Sequence, residues 1–235
     1  MKPSSNIIGA LLIALGILGM GLAVRSGINT FANRDRTVEV RGLCEREVPA
    51  NKVTWPIVYT LVGNDLPTLY DQVNATNAKI EKFLTGNGVE KSEINYNAPK
   101  LNDLQANRYN NDPIPFRYTL TGTITVVSGN VDRITALIKR QGELFKEGIA
   151  LSINDYSNQV IYEYTSLNDI KPEMIAKATD NAREAAQKFA DDSQSKIGKI
   201  RSAHQGQFSI DDRDPYTPQI KRVRVVTYLT YYLED

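Results

Sequence analysis

An α+β fold with antiparallel sheet, preceded by one N-terminal transmembrane helix, follows from three features of the sequence. The chain opens on an uncharged apolar run. Beyond it, stretches with a period of two come in pairs, and stretches with a helical period separate those pairs. Paired strands between helices argue for antiparallel sheet, because a parallel sheet needs a crossover after every single strand.

The opening run, Ile7 to Val24, reads IIGALLIALGILGMGLAV and carries no charge. As a helix its 18 residues extend roughly 27 Å, close to a hydrocarbon core of about 30 Å. Ten of them are Ile, Leu or Val, which favours insertion by about 3–6 kcal/mol before the glycines subtract from it. Ile7, Leu11, Leu15, Leu18 and Leu22 are the expected lipid-facing anchor. The small-x-small site Gly21-Leu22-Ala23 would suit a cleaved signal, whereas the length of the run suits a retained anchor. Arg25, Arg34 and Arg36 follow it, and the positive-inside rule would hold them in the cytoplasm, so charge leaves the side of the membrane undecided. Ala10 with Ala14, and Gly19 with Ala23, are small-xxx-small pairs of the kind that let two membrane helices approach.

The domain plan is an anchor over 1–25, a polar linker over 26–36 and one domain over 37–235. Thr37–Leu43 and Val53–Val62 alternate as strands, the second placing Val53, Trp55, Ile57, Tyr59 and Leu61 on one face. Pro56 lacks a ladder donor, which points to an edge or a bulge. Leu66, Leu69, Val73, Ile80, Phe83 and Leu84 form a helical stripe that Gly86 and Gly88 end. A weakly apolar stretch at Ile94–Leu104 and the loop NRYNNDPIP lead into Phe116–Val127, where apolar residues alternate with threonines. Asn130 is the expected cap of a helix running through Leu144 and Phe145 to Gly148. Short strands at Ile149–Ile153 and Val160–Tyr164 precede a long helix from Asn168 to near Gly198. Two strands, Ile200–Ile210 and Ile220–Leu233, close the chain around the loop DDRDPYTPQ. The expected order is ββα three times, then ββ.

The composition limits the chemistry. With 28 basic and 27 acidic residues, no basic face for nucleic acid is called for. One cysteine and one histidine allow neither an internal disulfide nor a soft-ligand zinc site, and the residues call for no cofactor or metal. Ser193-Gln-Ser-Lys196 fits S-x-x-K, but the serine stands at a helix C-terminus, where the dipole opposes an alkoxide, and no K-T-G follows. Gly198-Lys199 lacks the rest of a phosphate loop. Cys44 with His204 is a conceivable nucleophile pair with no sign of activation. Asp211, Asp212 and Asp214 lack the spacing of a calcium loop and read as a solvated turn.

Two stretches point to contacts instead. Ala178, Ala182, Ala185, Ala186, Phe189 and Ala190 recur at helical spacing, a packing stripe of small residues with one ring. In the last strand, alternation places Arg222, Arg224, Tyr228 and Tyr232 on one face and Val223, Val225, Leu229, Tyr231 and Leu233 on the other. Arginine and tyrosine are hot-spot types, so the first face is a candidate partner surface.

From Tyr162 to Ile210, YEYTSLNDIKPEMIAKATDNAREAAQKFADDSQSKIGKIRSAHQGQFSI, and in RVRVVTYLTYYLED, the chain resembles the SIMPL domain family, bacterial periplasmic or envelope proteins associated with oxidative stress. More loosely, Val40-Arg-Gly42 and Val48-Pro49 sit where the family usually has a V-x-G start and a V-x-P turn, while Ala50-Asn51 departs where many relatives carry aspartate. The resemblance implies an exported α+β domain tethered to the inner membrane by a single pass, lying in the periplasm and forming homo-oligomers. It carries over no catalytic residues. The expected function is a non-catalytic anchored envelope protein that self-assembles, with an envelope protein as a further partner, and supports stress tolerance or envelope integrity. The alternative is an envelope ligand-binding module or enzyme using the aromatic face of the last strand.

Overall fold

The computed structural model describes residues 4–33, 36–106, 114–152 and 158–234. The structure confirms mixed helix and antiparallel sheet. Helix α1 (Ser4–Asn33) contains the apolar run, and within it Gly9–Ile28 is long and apolar enough to cross a membrane, with mean hydropathy 2.0 and none of its residues buried in protein. Leu11, Leu15, Leu18 and Leu22 are all exposed, and Ile7 lies in the same helix. The helix continues through most of the expected linker, because nothing between Val24 and Asn33 except Gly27 opposes helix formation.

The chain, α1 included, divides into two compact units. The first comprises Met1–Arg46, Asn168–Ser209 and Val223–Asp235, the second Glu47–Leu167 and Ile210–Arg222. Strands β1 (Thr37–Pro49) and β9 (Ile220–Glu234) contribute residues to both. The boundary therefore falls within regular strands and leaves no linker composition to be read.

The second unit is built on β2 (Lys52–Gly63) and β5 (Tyr118–Ser128), paired antiparallel without a break from Val53↔Ser128 to Gly63↔Tyr118. On the outer side of β5 lie β3 (Ile94–Tyr96) and β4 (Lys100–Asp103); β6 (Ile161–Glu163) pairs only with Lys52–Thr54 of β2. Pro56 sits at no bulge. The amide of Thr60 and the carbonyl of Val58 bond residues 150 and 152 on that same side, so Pro56, of the same parity, turns its missing donor into the gap between the two pairings.

Helix α2 (Leu66–Gly86) starts where the Asp65 carboxylate accepts from the Thr68 amide, and ends in Asn87 and Gly88, the latter at φ 84°. Asn130 caps α3 (Val131–Lys139) as expected, its side chain accepting from the Arg133 amide. The chain then breaks and resumes as α4 (Gly142–Lys146), because the amides of Arg140 and Gln141 bond back only three residues. Val53, Trp55, Ile57 and Tyr59 of β2 join Ile124 and Val126 of β5 under Ile80 and Leu84 of α2, Ile134 and Leu137 of α3 and Leu144 of α4.

In the first unit β9 lies between β1 and β7 (Lys196–Gln205); β8 (Ser209–Asp212), most of which belongs to the second unit, also pairs with β9. Helix α5 (Leu167–Asp192) covers one face of the sheet, with Ala178, Ala182, Ala186 and Ala190 fully buried. Ala185 is partly buried against the same cluster. Phe189, expected in the packing stripe, is instead 60% exposed. It lies about 60° around the helix from Ala186, off the straight i, i+4 line that meets the sheet.

The helix stops earlier than Gly198, which lies in β7. The amide of Ser195 bonds the carbonyl of Ala190, that of Gln194 bonds Asp191, and Gln194 adopts φ 56°. This is a Schellman end with glutamine where glycine is the usual residue, hence a stop no glycine announces. Gln194→Gly should raise stability to urea by about 0.5–1 kcal/mol by relieving the left-handed conformation. A lower midpoint for the variant would contradict that geometry.

Among the described residues the threefold ββα order is not found: β3, β4 and β5 lie between α2 and α3, and β6 is the one named strand between α4 and α5. The expected strand at Ile149–Ile153 is a single bridge, Leu151 to Tyr59, and its last residue lies outside the described residues, as does most of NRYNNDPIP.

Candidate functional site

The residues weighed and set aside as chemistry in the sequence have structural surroundings. Ser193 closes α5, its hydroxyl donating to the Ala190 carbonyl at 3.0 Å. Cys44 is buried on the α5 side of β1, whereas His204 is exposed and pairs with Tyr228 on the opposite face, so the two never meet. Asp214 accepts from the amides of Tyr216 and Thr217, both at 2.8 Å, and from the Arg213 guanidinium at 3.0 Å. The Thr217 hydroxyl and these donors hold its carboxyl down to about 2. Asp212 pairs with the buried Lys221. The acidic loop is thus a turn fixed by its own carboxylates. Among the described residues, no group of three or more His, Cys, Asp or Glu is placed to hold a metal.

The candidate partner surface is the face of the first unit's sheet turned away from α5. Alternation along β9 buries Val223, Val225, Leu229 and Tyr231 and exposes Arg224 and Tyr228, with Tyr232 half-buried. Leu233, expected with the buried set, is half-buried. Neighbouring strands supply partners for this face. The Arg41 guanidinium of β1 lies 5.2 Å above the Tyr228 ring, and His204 of β7 stands 6.1 Å from it, tilted by 43°. Arg224 Nε is 3.6 Å from Glu45. Tyr228 is thus gripped between two strands yet 39% exposed, and Leu43 of β1 is 40% exposed. A rigid ring held by a cation beside an open aliphatic side chain has the makeup of an interface centre. Arg222, the fourth residue expected here, falls in the second unit, where its guanidinium donates to the Arg213 carbonyl at 2.6 Å.

Asn51 was legible only as a departure from the family pattern. Its Oδ1 accepts from the amide and the hydroxyl of Thr165, at 2.8 and 3.1 Å, and its Nδ2 donates to Ser166 at 2.9 Å. An aspartate could make the first two bonds but not donate the third.

No feature of the sequence marks the groove in the second unit, which lies between α2 and the segment from Tyr96 to Leu101. On α2, Tyr70, Asn74, Asn77 and Glu81 form one stripe along it, facing Tyr96 and Pro99. Behind the stripe stands Tyr59, 1% exposed, whose hydroxyl donates to Asn77 Oδ1 at 2.7 Å. Glu81 takes the Tyr96 hydroxyl at 2.8 Å on one oxygen and Lys91 Nζ at 2.9 Å on the other. These bonds, Lys91 first, hold the Glu81 carboxyl below its ordinary value. Burial, with the Glu81 carboxylate beside it, pushes Tyr96 up to about 12.

Burial likewise pushes the Tyr59 phenol up to about 12. The unfolded chain loses this proton near pH 10. Between those values unfolding releases a proton, so the stability that the neutral phenol contributes is intact below pH 10 and is lost as pH rises to about 12. In urea titrations at pH 9, 10 and 11, Tyr59→Phe should lose less stability over the series than the parent. Parallel slopes would contradict the burial of this phenol.

The family model described as SIMPL, a protein of unknown function (DUF541), matches residues 38–227. No curated protein matches the chain.

Proposed function

We propose that this chain, which belongs to the SIMPL family, is a non-catalytic envelope protein held at the inner membrane by α1, with its two units in the periplasm. It self-assembles through the open sheet face of the first unit and in that form supports envelope integrity and stress tolerance. The observation that carries the reading is α1 itself. The 20 residues from Gly9 to Ile28, apolar but for Arg25 and Ser26, have a mean hydropathy of 2.0 and none of them is buried against protein, and lipid is the solvent in which such a helix is stable. The face around Tyr228 supports assembly, and the structural employment of Ser193, His204 and Asp214 supports a non-catalytic role.

A C-terminal alkaline phosphatase fusion, active only when exported, tests the location, and the intact mass of the purified protein tests retention of the helix. The reading expects an active fusion in the membrane fraction and a mass that includes residues 1–25. An inactive fusion would overturn the periplasmic placement, and a mature N-terminus near Val24 would overturn the anchor.

A further inference from the structure

The groove in the second unit is not needed for anchoring or for assembly through the first unit. At about 450 Å³ it falls within the range in which proteins hold small ligands, roughly 300–1,000 Å³. Its chemistry is selective. The only carboxylate along its polar stretch, Glu81, is already balanced by Lys91, so this part of the groove presents no net charge to attract an ionic ligand. Hydrogen-bonding capacity is plentiful there. Asn77 gives its oxygen to Tyr59, which leaves its Nδ2 hydrogens as donors. Glu81 has accepted two bonds of about four it can take, and Asn74, exposed and lining the groove, adds an amide that can both donate and accept. Two tyrosine rings flank these groups, Tyr70 57% and Tyr96 52% exposed, each an apolar plate with a polar tip. Past Tyr70 and Pro99 the groove opens into an apolar cleft bordered by Leu66, Pro67 and Leu101.

We propose that this groove binds a neutral oligosaccharide. A pyranose offers adjacent hydroxyls that both donate and accept, matching the Asn77 and Glu81 pair, and an apolar ring face that lies on tyrosine. The neighbouring cleft takes a small apolar substituent such as the methyl of an acetamido group, which makes an N-acetylated sugar the better ligand. Tyr59 is a positioning residue: it touches no sugar and acts by fixing which end of the Asn77 amide faces the groove.

The test uses the full chain in phospholipid nanodiscs and saturation-transfer NMR with two soluble probes, the β-1,4-linked tetramers of N-acetylglucosamine and of glucose. Transfer to the N-acetylglucosamine tetramer is expected, several-fold stronger than to the glucose tetramer and strongest at the acetamido methyl. Tyr70→Ala and Asn77→Ala should each reduce it at least fivefold, while Tyr228→Ala leaves it unchanged. Tyr70 is exposed, so its replacement leaves the melting temperature in place and loss of signal reports binding. Absence of transfer to both tetramers, or transfer that survives Tyr70→Ala, would overturn the proposal. The proposed function stands or falls separately, on the fusion and mass measurements.

Discussion

Replacing Gly42 with alanine should lower the unfolding free energy by roughly 3 kcal/mol or more. Gly42 lies in β1 directly beneath the Ala178–Ala182 turn of α5. A methyl group built there would stand 1.8 Å from the carbonyl oxygen of Ala178 and 2.6 Å from the amide nitrogen of Ala182. Both are backbone atoms inside a helix, so no side-chain rotation relieves the clash. The helix must lift, and lifting it uncovers Ala178, Ala182 and Ala186, which are wholly buried. Urea unfolding should show a lowered midpoint, and hydrogen exchange should show faster amide exchange along α5. Ala182→Gly in the same chain should not rescue the variant, because the nearest clash is with the Ala178 carbonyl. A midpoint within 0.5 kcal/mol of the parent, the ordinary scatter of surface changes, would show that the close approach is not there.

A second large effect is expected at Gly122 of β5. A Cβ there would lie 2.2 Å from Cζ and 2.3 Å from the hydroxyl oxygen of Tyr59, the side chain opposite it in the register. The ring is 1% exposed and its hydroxyl is tied to Asn77, so displacing it breaks packing and a hydrogen bond, and Gly122→Ala should destabilise the second unit by about 1–3 kcal/mol. The cause can be isolated by a double-mutant cycle. With Tyr59→Leu in place the obstructing ring is gone, and the same glycine replacement should have a much smaller effect. Equal effects in both backgrounds would assign the role of Gly122 to something other than room for the ring. If the groove binds a ligand, Gly122→Ala should weaken that binding too, because the displaced ring no longer fixes Asn77.

These two glycines show what the sequence did and did not disclose. Alternation in VTWPIVYTL and TLTGTITVV placed the inner face of the second unit's sheet correctly, because the residues that must leave water recur every second position. The Asn130 cap and the alanine line of α5 were legible for the same reason: the signal lies within a few residues of its effect. Gly42 was visible only as part of a V-x-G match, since its partner is 136 residues away in the chain, the separation of Gly42 and Ala178. Phe189 was misplaced because spacing alone could not tell how narrow the contact line on α5 is. The end of α5 was misplaced because Gln194 takes a backbone conformation usually left to glycine. The groove stayed hidden for a different reason. Tyr70, Asn74, Asn77 and Glu81 form an ordinary polar helix face in the sequence, and only the fold brings Tyr96 and Pro99 opposite them.

Of the residues on the open sheet face, Arg224, Tyr228 and Tyr232 were placed there by alternation alone. Arg41, His204 and Glu45 were missed, because strand pairing and not sequence proximity brings them to that face. Assembly through this face is the central claim, and light scattering coupled to size exclusion on the detergent-solubilised full chain tests it most directly. The protein mass, corrected for detergent, should be an integral multiple, at least twofold, of the 26.2 kDa protomer. The double variant Arg41→Glu, Tyr228→Glu should reduce it to one protomer while keeping the helical circular dichroism signal. A parent that elutes at a single protomer mass across the concentration range, or an assembly indifferent to the double variant, would contradict the account.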